Sequence, residues 1–333
     1  MTPGTLQLAP LHGVTDPIVR DLLTALGGIN GCVSVFARVS NQPLPVHALL
    51  RTCPEMAHGG RTSAGVPVQL QLLGGDAALL AQTARNACEG GATAIDLNFG
   101  CPMGRVNRHD GGAALLREPD RMTQIIAAVR SAIPSSVPVS AKVRIGWSDA
   151  AEAVRIAQAV ERGGAAWLTV HGRTRTQLYG GQADWDAIGR ARAAIRIPVV
   201  ANGDIRTPED LARCAERTGC QHFMIGRGAL ARPELFRRLT GAESSWWPVS
   251  KRLSLLVTYG TECVSLGIPD RSVVGRVKGW WSYMAEADET VALVFSTAKR
   301  LGTWPELQFA LSRAVESLTA SSFRADDAKS WDV

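Results

Sequence analysis

Short apolar runs rich in β-branched residues alternate along this chain with amphipathic stretches. The runs are LQLAP (6–10), CVSVF (32–36), VPVQLQL (66–72), TAIDLNF (93–99), VPVSAKVR (137–144), WLTVHG (167–172), IPVVANG (197–203) and HFMIG (222–226). Runs of that length bounded by turn residues read as buried strands. Between them, DAALLAQTARNACEGG, DRMTQIIAAVRSAI, AAEAVRIAQAVERGG and TPEDLARCAERTG repeat apolar residues at helical spacing, and several close on Gly as helix C-termini do. Eight strand–helix units over roughly 240 residues predict an α/β protein built on a closed (β/α)8 TIM barrel. A doubly wound open sheet would more often carry G-x-G-x-x-G after its first strand, and the sequence has no such turn.

The pattern changes after the eighth unit. LTGAESSWWPVS (239–250) is a Gly/Ser/Pro-bearing connection, and the sequence beyond it is helical in period without strand signals until Ser321. The expected division is a barrel over 1–243, an all-helical domain over 244–320 and a polar tail over 321–333. In RSVVGRVKGWWSYM, Val274, Val277, Trp281 and Met284 should face a core, while Arg271 and Lys278 share another face. Taken alone, that second face reads as solvated.

Composition adds little to this picture and removes much. With 46% hydrophobic and 20% charged residues, the 333-residue chain has the balance of a globular protein and not of a disordered or fibrous one. Neither a signal sequence nor the ~20-residue apolar run of a membrane span is present, so the expected location is the cytoplasm, with no membrane partner. The seven cysteines are odd in number and scattered without a C-x-x-C pair, which argues against a disulfide framework, a zinc site or an iron–sulfur cluster, and no metal is expected. A formal charge of +6 permits a polyanionic partner without identifying one. A monomer is the simplest expected state.

A barrel places its chemistry at the C-terminal ends of its strands. Those ends carry APLHG after the first strand, then Arg38, Gln71, Asn98 with Cys101, Lys142 with Arg144, His171 with Arg173, Asn202-Gly203-Asp204, and Gly226-Arg227. Any single one is accounted for as a satisfied structural polar group, but so many along one rim point to a site. The last two strand ends have the Gly-bearing loops, and one the following helix (near Thr207-Pro208), that bind a phosphate group in many barrels. Lys142 should point its ammonium into the mouth, either to stabilise an anionic ligand such as a reduced flavin or to form a Schiff base.

The segments LAPLHGVTD, QLLGGD, DLNFGCPMGRVNRHDGGAALL, VSAKVRIGW, LTVHGRTRTQLYGG, IPVVANGDI and MIGRGAL, taken in order, resemble the tRNA-dihydrouridine synthases. GRVKGWWSYM and the chain length resemble the bacterial subgroup C of that family, which acts on uridine 16 of the tRNA D-loop. The resemblance implies bound FMN, NADPH as reductant, tRNA as partner, and hydride transfer to carbon 6 of uracil with Cys101 protonating carbon 5. A thiol, mostly neutral at pH 7, suits that acid role. It further implies that Asn98 orients the base, that Lys142 and His171 flank the flavin ring, and that Gln71 meets its polar edge. Pro10 and Leu11, with His12, would form its bed, and Asn202, Gly203, Asp204, Gly226 and Arg227 would hold its phosphate. Arg38, Arg105, Arg108 and Arg173, with Arg271, Arg276 and Lys278 of the helical domain, would grip the RNA. The chain departs from the family pattern at Leu11 and His12, where Met and Glu are common, at Phe99, and at Asp110, where Gly is usual. Two other readings are a flavin oxidoreductase for free pyrimidines and a noncatalytic RNA-binding relative. The helical domain and the lack of iron–sulfur cysteines count against the former, and the retained thiol and flavin contacts against the latter.

Overall fold

The computed structural model describes residues 4–107 and 111–329; the side chain of Arg105, Arg108 and Asp110 lie outside the described residues, as do the side chains beyond 320. The strands are β1 (Leu6–Leu8), β2 (Gly31–Val33), β3 (Ala37–Arg38), β4 (Val68–Leu73), β5 (Ile95–Phe99), β6 (Val139–Arg144), β7 (Trp167–His171), β8 (Val199–Asn202) and β9 (His222–Ile225). All pair in parallel. β1 bonds β2 on one side and β9 on the other, β2 pairs β4, and β4 to β9 follow in sequence order, so the sheet closes. The barrel is the expected one.

One predicted strand is divided. β3 continues β2 along the edge of β4 after a gap at Ser34, whose hydroxyl accepts the Gln71 backbone N–H at 3.0 Å, taking the place of a ladder carbonyl. Around the barrel run α1 (Pro17–Ala25), α2 (Val46–Thr52), α3 (Ala77–Glu89), α4 (Gly104–Asn107), α5 (Pro119–Ala132), α6 (Ala153–Arg162), α7 (Trp185–Ala193) and α8 (Pro208–Thr218). Their starts are chemically marked. Asp16, Asp76 and Asp184 each accept a first-turn backbone N–H, and Thr207 with Asp210 forms a capping box on α8. The barrel interior is divided by character. Ala9, Val33, Val200 and Met224 form an apolar cluster, whereas β4, β5 and β6 turn Gln69, Gln71, Asp96 and Ser140 into buried positions.

The chain divides into two compact units, 1–226 and 227–333. The second contains α9 (Arg227–Ala231), α10 (Leu235–Leu239), α11 (Val249–Ser265), α12 (Asp270–Ala287), α13 (Glu289–Ala298) and α14 (Trp304–Lys329). Its boundary lies upstream of the 239–250 connection because α9 and the segment after it bond into the helical unit: Trp280 donates its indole N–H to Leu230 O at 3.0 Å, and Trp247 N donates to Glu234 at 3.0 Å. Val274, Val277, Trp281 and Met284 are buried, as their spacing predicts, together with Trp280 and Tyr259. α14 runs through Ser321 without a break, so the polar tail begins as helix. Among the described residues, no helix is long and apolar enough to cross a membrane.

Candidate active site

The turn after β5 is built by Asn98. Its side-chain oxygen accepts the backbone N–H groups of Gly100 and Cys101, both at 2.9 Å, which folds the chain back just as Pro102 removes the next ladder donor. The Gly100 carbonyl accepts Arg144 Nε at 2.9 Å, and the Cys101 carbonyl accepts Ala113 N at 3.1 Å and the Asn107 amide at 2.9 Å. Cys101 therefore stands at the C-terminal rim, as the sequence reading places it. It is covered rather than open: only 8% exposed, it packs with Leu73 and Val106 and beneath Phe36. Burial pushes its thiol above the ordinary range, against the opposing pull of Arg144 and Arg38. Phe36 in turn stacks on His12, with ring centroids 5.2 Å apart.

Beneath this turn lies a buried polar chain. Gln71 donates to Asp96 Oδ2 at 2.8 Å and accepts from the Asn98 amide at 2.8 Å, while Ser140 donates to Asp96 Oδ1 at 2.6 Å. Gln71 is fully buried, so it belongs to the floor of the mouth rather than to an exposed wall. Asp96, on the same buried layer, has its carboxyl raised by desolvation, opposed by the hydrogen bonds from Ser140 and Gln71 and by the charge of Lys142.

Lys142 is half-buried and donates to Asn202 Oδ1 at 3.0 Å, and Asn202 passes its own amide N–H to Met224 O at 2.8 Å. Desolvation, with repulsion from Arg144, lowers the Lys142 ammonium to about 8 against the attraction of Asp96. It makes no ion pair among the described residues. His171 ends β7 directly beside Asn202 in the ladder.

Backbone geometry at the end of β8 is left-handed, with φ of 126° at Gly203 and 56° at Asp204. A Cβ on Gly203 would lie 2.9 Å from Ala183 Cβ, so that loop needs glycine to pack, whereas one on Gly226 would lie 3.0 Å from Leu11 Cδ1, which a small shift of the leucine side chain relieves. Pro10 and Leu11 are half-buried beside them, and Arg227 is the next residue, the first of α9. Arg173 has a different place from the one expected. It is 2% exposed and bonds Asp204 through both carboxylate oxygens at 2.7 and 2.9 Å and the carbonyls of Gly180 and Gly181, so it braces the loop after β7 instead of meeting solvent. Asp204 also accepts Ala183 N at 2.8 Å.

Three groups of importance carry no assigned role in the sequence reading. Arg144 donates to the Thr174 and Leu178 carbonyls at 2.9 and 2.7 Å and lies 5.5 Å from the ring of exposed Tyr179, joining the Cys101 turn to the loop after β7. Its signal was a cation closing a buried strand two residues after Lys142. Asp96 was visible as a lone acid inside an apolar run. Trp147 collects two guanidinium groups, Arg117 at 4.0 Å and Arg175 at 4.7 Å from its ring centroid, neither ion-paired among the described residues. That cluster has no sequence signal, because its members come from separate loops. On α12, Arg271 is exposed, whereas Lys278 donates to the carbonyls of Lys299 and Leu301 at 2.8 and 2.5 Å, closing the end of α13. Arg276 is half-buried on the same helix.

Comparison with known proteins bears on this arrangement. The profile of the dihydrouridine synthase (Dus) family matches residues 7–264. The chain is 41% identical to the tRNA-dihydrouridine(16) synthase of Ralstonia nicotianae, over 95% of this chain and 98% of that one. It is 42% identical to the protein of the same name from Haemophilus influenzae, over 92% and 98%, and 41% identical to that of Pseudomonas syringae, over 89% and 94%. Among solved structures, histamine dehydrogenase from Rhizobium sp. 4-9 superposes with a TM-score of 0.54 at 13% identity, covering 72% of this chain and 45% of that one, a likeness of fold alone.

Proposed function

The chain belongs to the dihydrouridine synthase family, and from that premise we propose that it reduces one uridine of tRNA, position 16 of the D-loop, to 5,6-dihydrouridine. The observation that carries the choice of substrate is end-to-end similarity, at 41 to 42% identity, to relatives named for that reaction.

FMN as cofactor and NADPH as its reductant complete the reading. The donor set fits an anionic, planar ligand. Among the described residues Lys142 offers an ammonium without an ion-pair partner, Leu11 an apolar side chain beside Gly226, and Gly203 and Gly226 backbone at the ends of β8 and β9. Asn202, Asp204 and Arg227 would complete the phosphate loops, and His171 would flank the ring. FMN, when bound, would supply hydride for carbon 6 of uracil. The protein's own task is the other half of the reduction. Charge developing on the uracil oxygen must be relieved by a proton delivered to carbon 5, and Cys101, held neutral by burial, is the acid. Arg144 and Arg38 favour the thiolate left behind. A base inside folded RNA must leave its stack to reach such a pocket, so the RNA is held elsewhere on the surface, where Arg38, Arg117, Arg175 and Arg271 offer cations. The helical unit serves that holding role, and the enzyme acts as a cytoplasmic monomer without metal.

The test is direct. tRNA from cells lacking the gene, digested and analysed by mass spectrometry, should lose the two-dalton gain at uridine 16 and at no other site, and the purified protein with NADPH should restore it. Unchanged dihydrouridine at every position, with turnover of free uracil instead, would replace this reading by that of a pyrimidine oxidoreductase.

A further inference from the structure

We infer that Asp96 is a positioning residue for the Cys101 turn, acting through Gln71 and Asn98 by fixing which way two side-chain amides face. Its catalytic consequence rests on the function proposed above; its structural consequence does not.

The argument is one of donors and acceptors. An amide side chain has one accepting and one donating end, and nothing in its shape prefers either orientation. At the upper end of the chain, the backbone N–H groups of Gly100 and Cys101 can only donate, so Asn98 must present its oxygen to them. Its NH2 is then turned to Gln71, which must answer with its oxygen. Gln71 is left with its NH2 facing Asp96, and only an acceptor can stand there. A carboxylate is that acceptor. If the raised Asp96 carboxyl takes up a proton, the Ser140 hydroxyl is placed to share it at Oδ1, since Ser140 Oγ also lies 3.2 Å from Gln69 Oε1 and can donate there instead. Oδ2 stays an acceptor in both states, and the polarity of the chain does not reverse. All members are buried, so no water replaces a mismatched partner at low cost. Were both amides reversed, Asn98 would present NH2 to two backbone N–H groups, and the turn would lose both of its bonds.

Asp96→Leu removes the acceptor at similar volume, whereas Asp96→Asn, whose NH2 can face Ser140 Oγ while its oxygen still accepts from Gln71, should keep the turn as it is. In Asp96→Leu, hydrogen exchange of peptides spanning Gly100 and Cys101 should speed up about tenfold, the scale of one net hydrogen bond. kcat on tRNA should fall while flavin reduction by NADPH holds. Ser140→Ala, which removes the partner of Oδ1 and leaves Oδ2 in place, should keep the turn protected, although a merely structural role for Asp96 would suffer from it. The inference is overturned if Asp96→Leu leaves the turn's exchange unchanged, if global unfolding accounts for all of its exchange, or if Asp96→Asn opens the turn as much as Asp96→Leu does. Absence of dihydrouridine synthesis by the unaltered protein would instead sink the functional reading, and the exchange measurements would still decide the relay.

Discussion

Burial holds the Cys101 thiol in its neutral form beyond the usual thiol range, and Arg144 and Arg38 only partly reverse that. A group so placed is a better acid than nucleophile at pH 7. Cys101→Ala should therefore retain flavin and its reduction by NADPH but form dihydrouridine ~100- to 10,000-fold more slowly, the usual cost of losing one positioned acid. Single-turnover mixing of the reduced variant with tRNA checks this, and an undiminished rate would assign the proton to another group. Lys142 titrates in the opposite sense. Its folded value of about 8 lies below the ~10.4 of an unfolded lysine, so between those limits the unfolded chain holds the extra proton and stability rises with pH. Any work done by the ammonium is lost at the lower edge of that window, as pH rises through about 8. Flavin reoxidation by tRNA should decline as pH passes about 8, and Lys142→Arg should carry the decline to higher pH; a limb that stays in place would clear Lys142 of that role. Asn98 and Lys142 were legible as polar residues inside apolar strands, and Cys101 as a thiol between a strand's end and a proline, where a barrel opens its mouth. Arg173 misled for the same reason, since its spacing matched the rim while its guanidinium is committed to Asp204, which no local pattern reveals.

Strands and helices were legible as elements because period-based burial decides them and the capping residues stand where the helices start. What escaped was the break between β2 and β3, which depends on one hydroxyl replacing a carbonyl across to β4, and the boundary at 226/227, which depends on which helices a short segment meets. The helical unit offers a test of packing against propensity. Gly260 lies inside α11, where helix propensity alone favours Ala by up to ~1 kcal/mol. A Cβ there would stand 2.0 Å from Trp304 Cη2 on α14, too close for a rigid indole to yield. Overpacking of this kind typically costs ~1–3 kcal/mol, so Gly260→Ala should lower the melting temperature. Gly275, in α12 with open space around it, should behave oppositely and gain stability on the same substitution. Thermal denaturation of the two variants beside the parent checks the pair, and a stabilised Gly260→Ala would show that α11 and α14 are less closely packed.

At the scale of the whole molecule, a net charge of +6 says that RNA is tolerated and nothing about where it lies. Placement supplies that. Most cations with structural duties are already engaged: Arg20 with Glu55, Arg252 with Asp288, Arg173 with Asp204, and Lys278 with helix-end carbonyls. Arg117 and Arg175 are different, because both rest on Trp147 and neither faces a carboxylate among the described residues. An indole face orients a guanidinium without neutralising it, so the pair keeps its charge and loses conformational freedom before any polyanion arrives. Phosphate is the partner such a pair suits. Each phosphate contact contributes about 0.7 to 0.9 to the slope of log K against log salt. Arg117→Gln with Arg175→Gln should thus weaken tRNA binding at low salt and flatten that slope by roughly 1.4 to 1.8, with flavin content and the rate of reduction by NADPH unchanged. A titration series across salt concentrations reads the slope. If affinity falls while the slope holds, the two arginines shape the loop rather than contact the backbone, and if neither moves, the RNA passes over another part of the barrel rim.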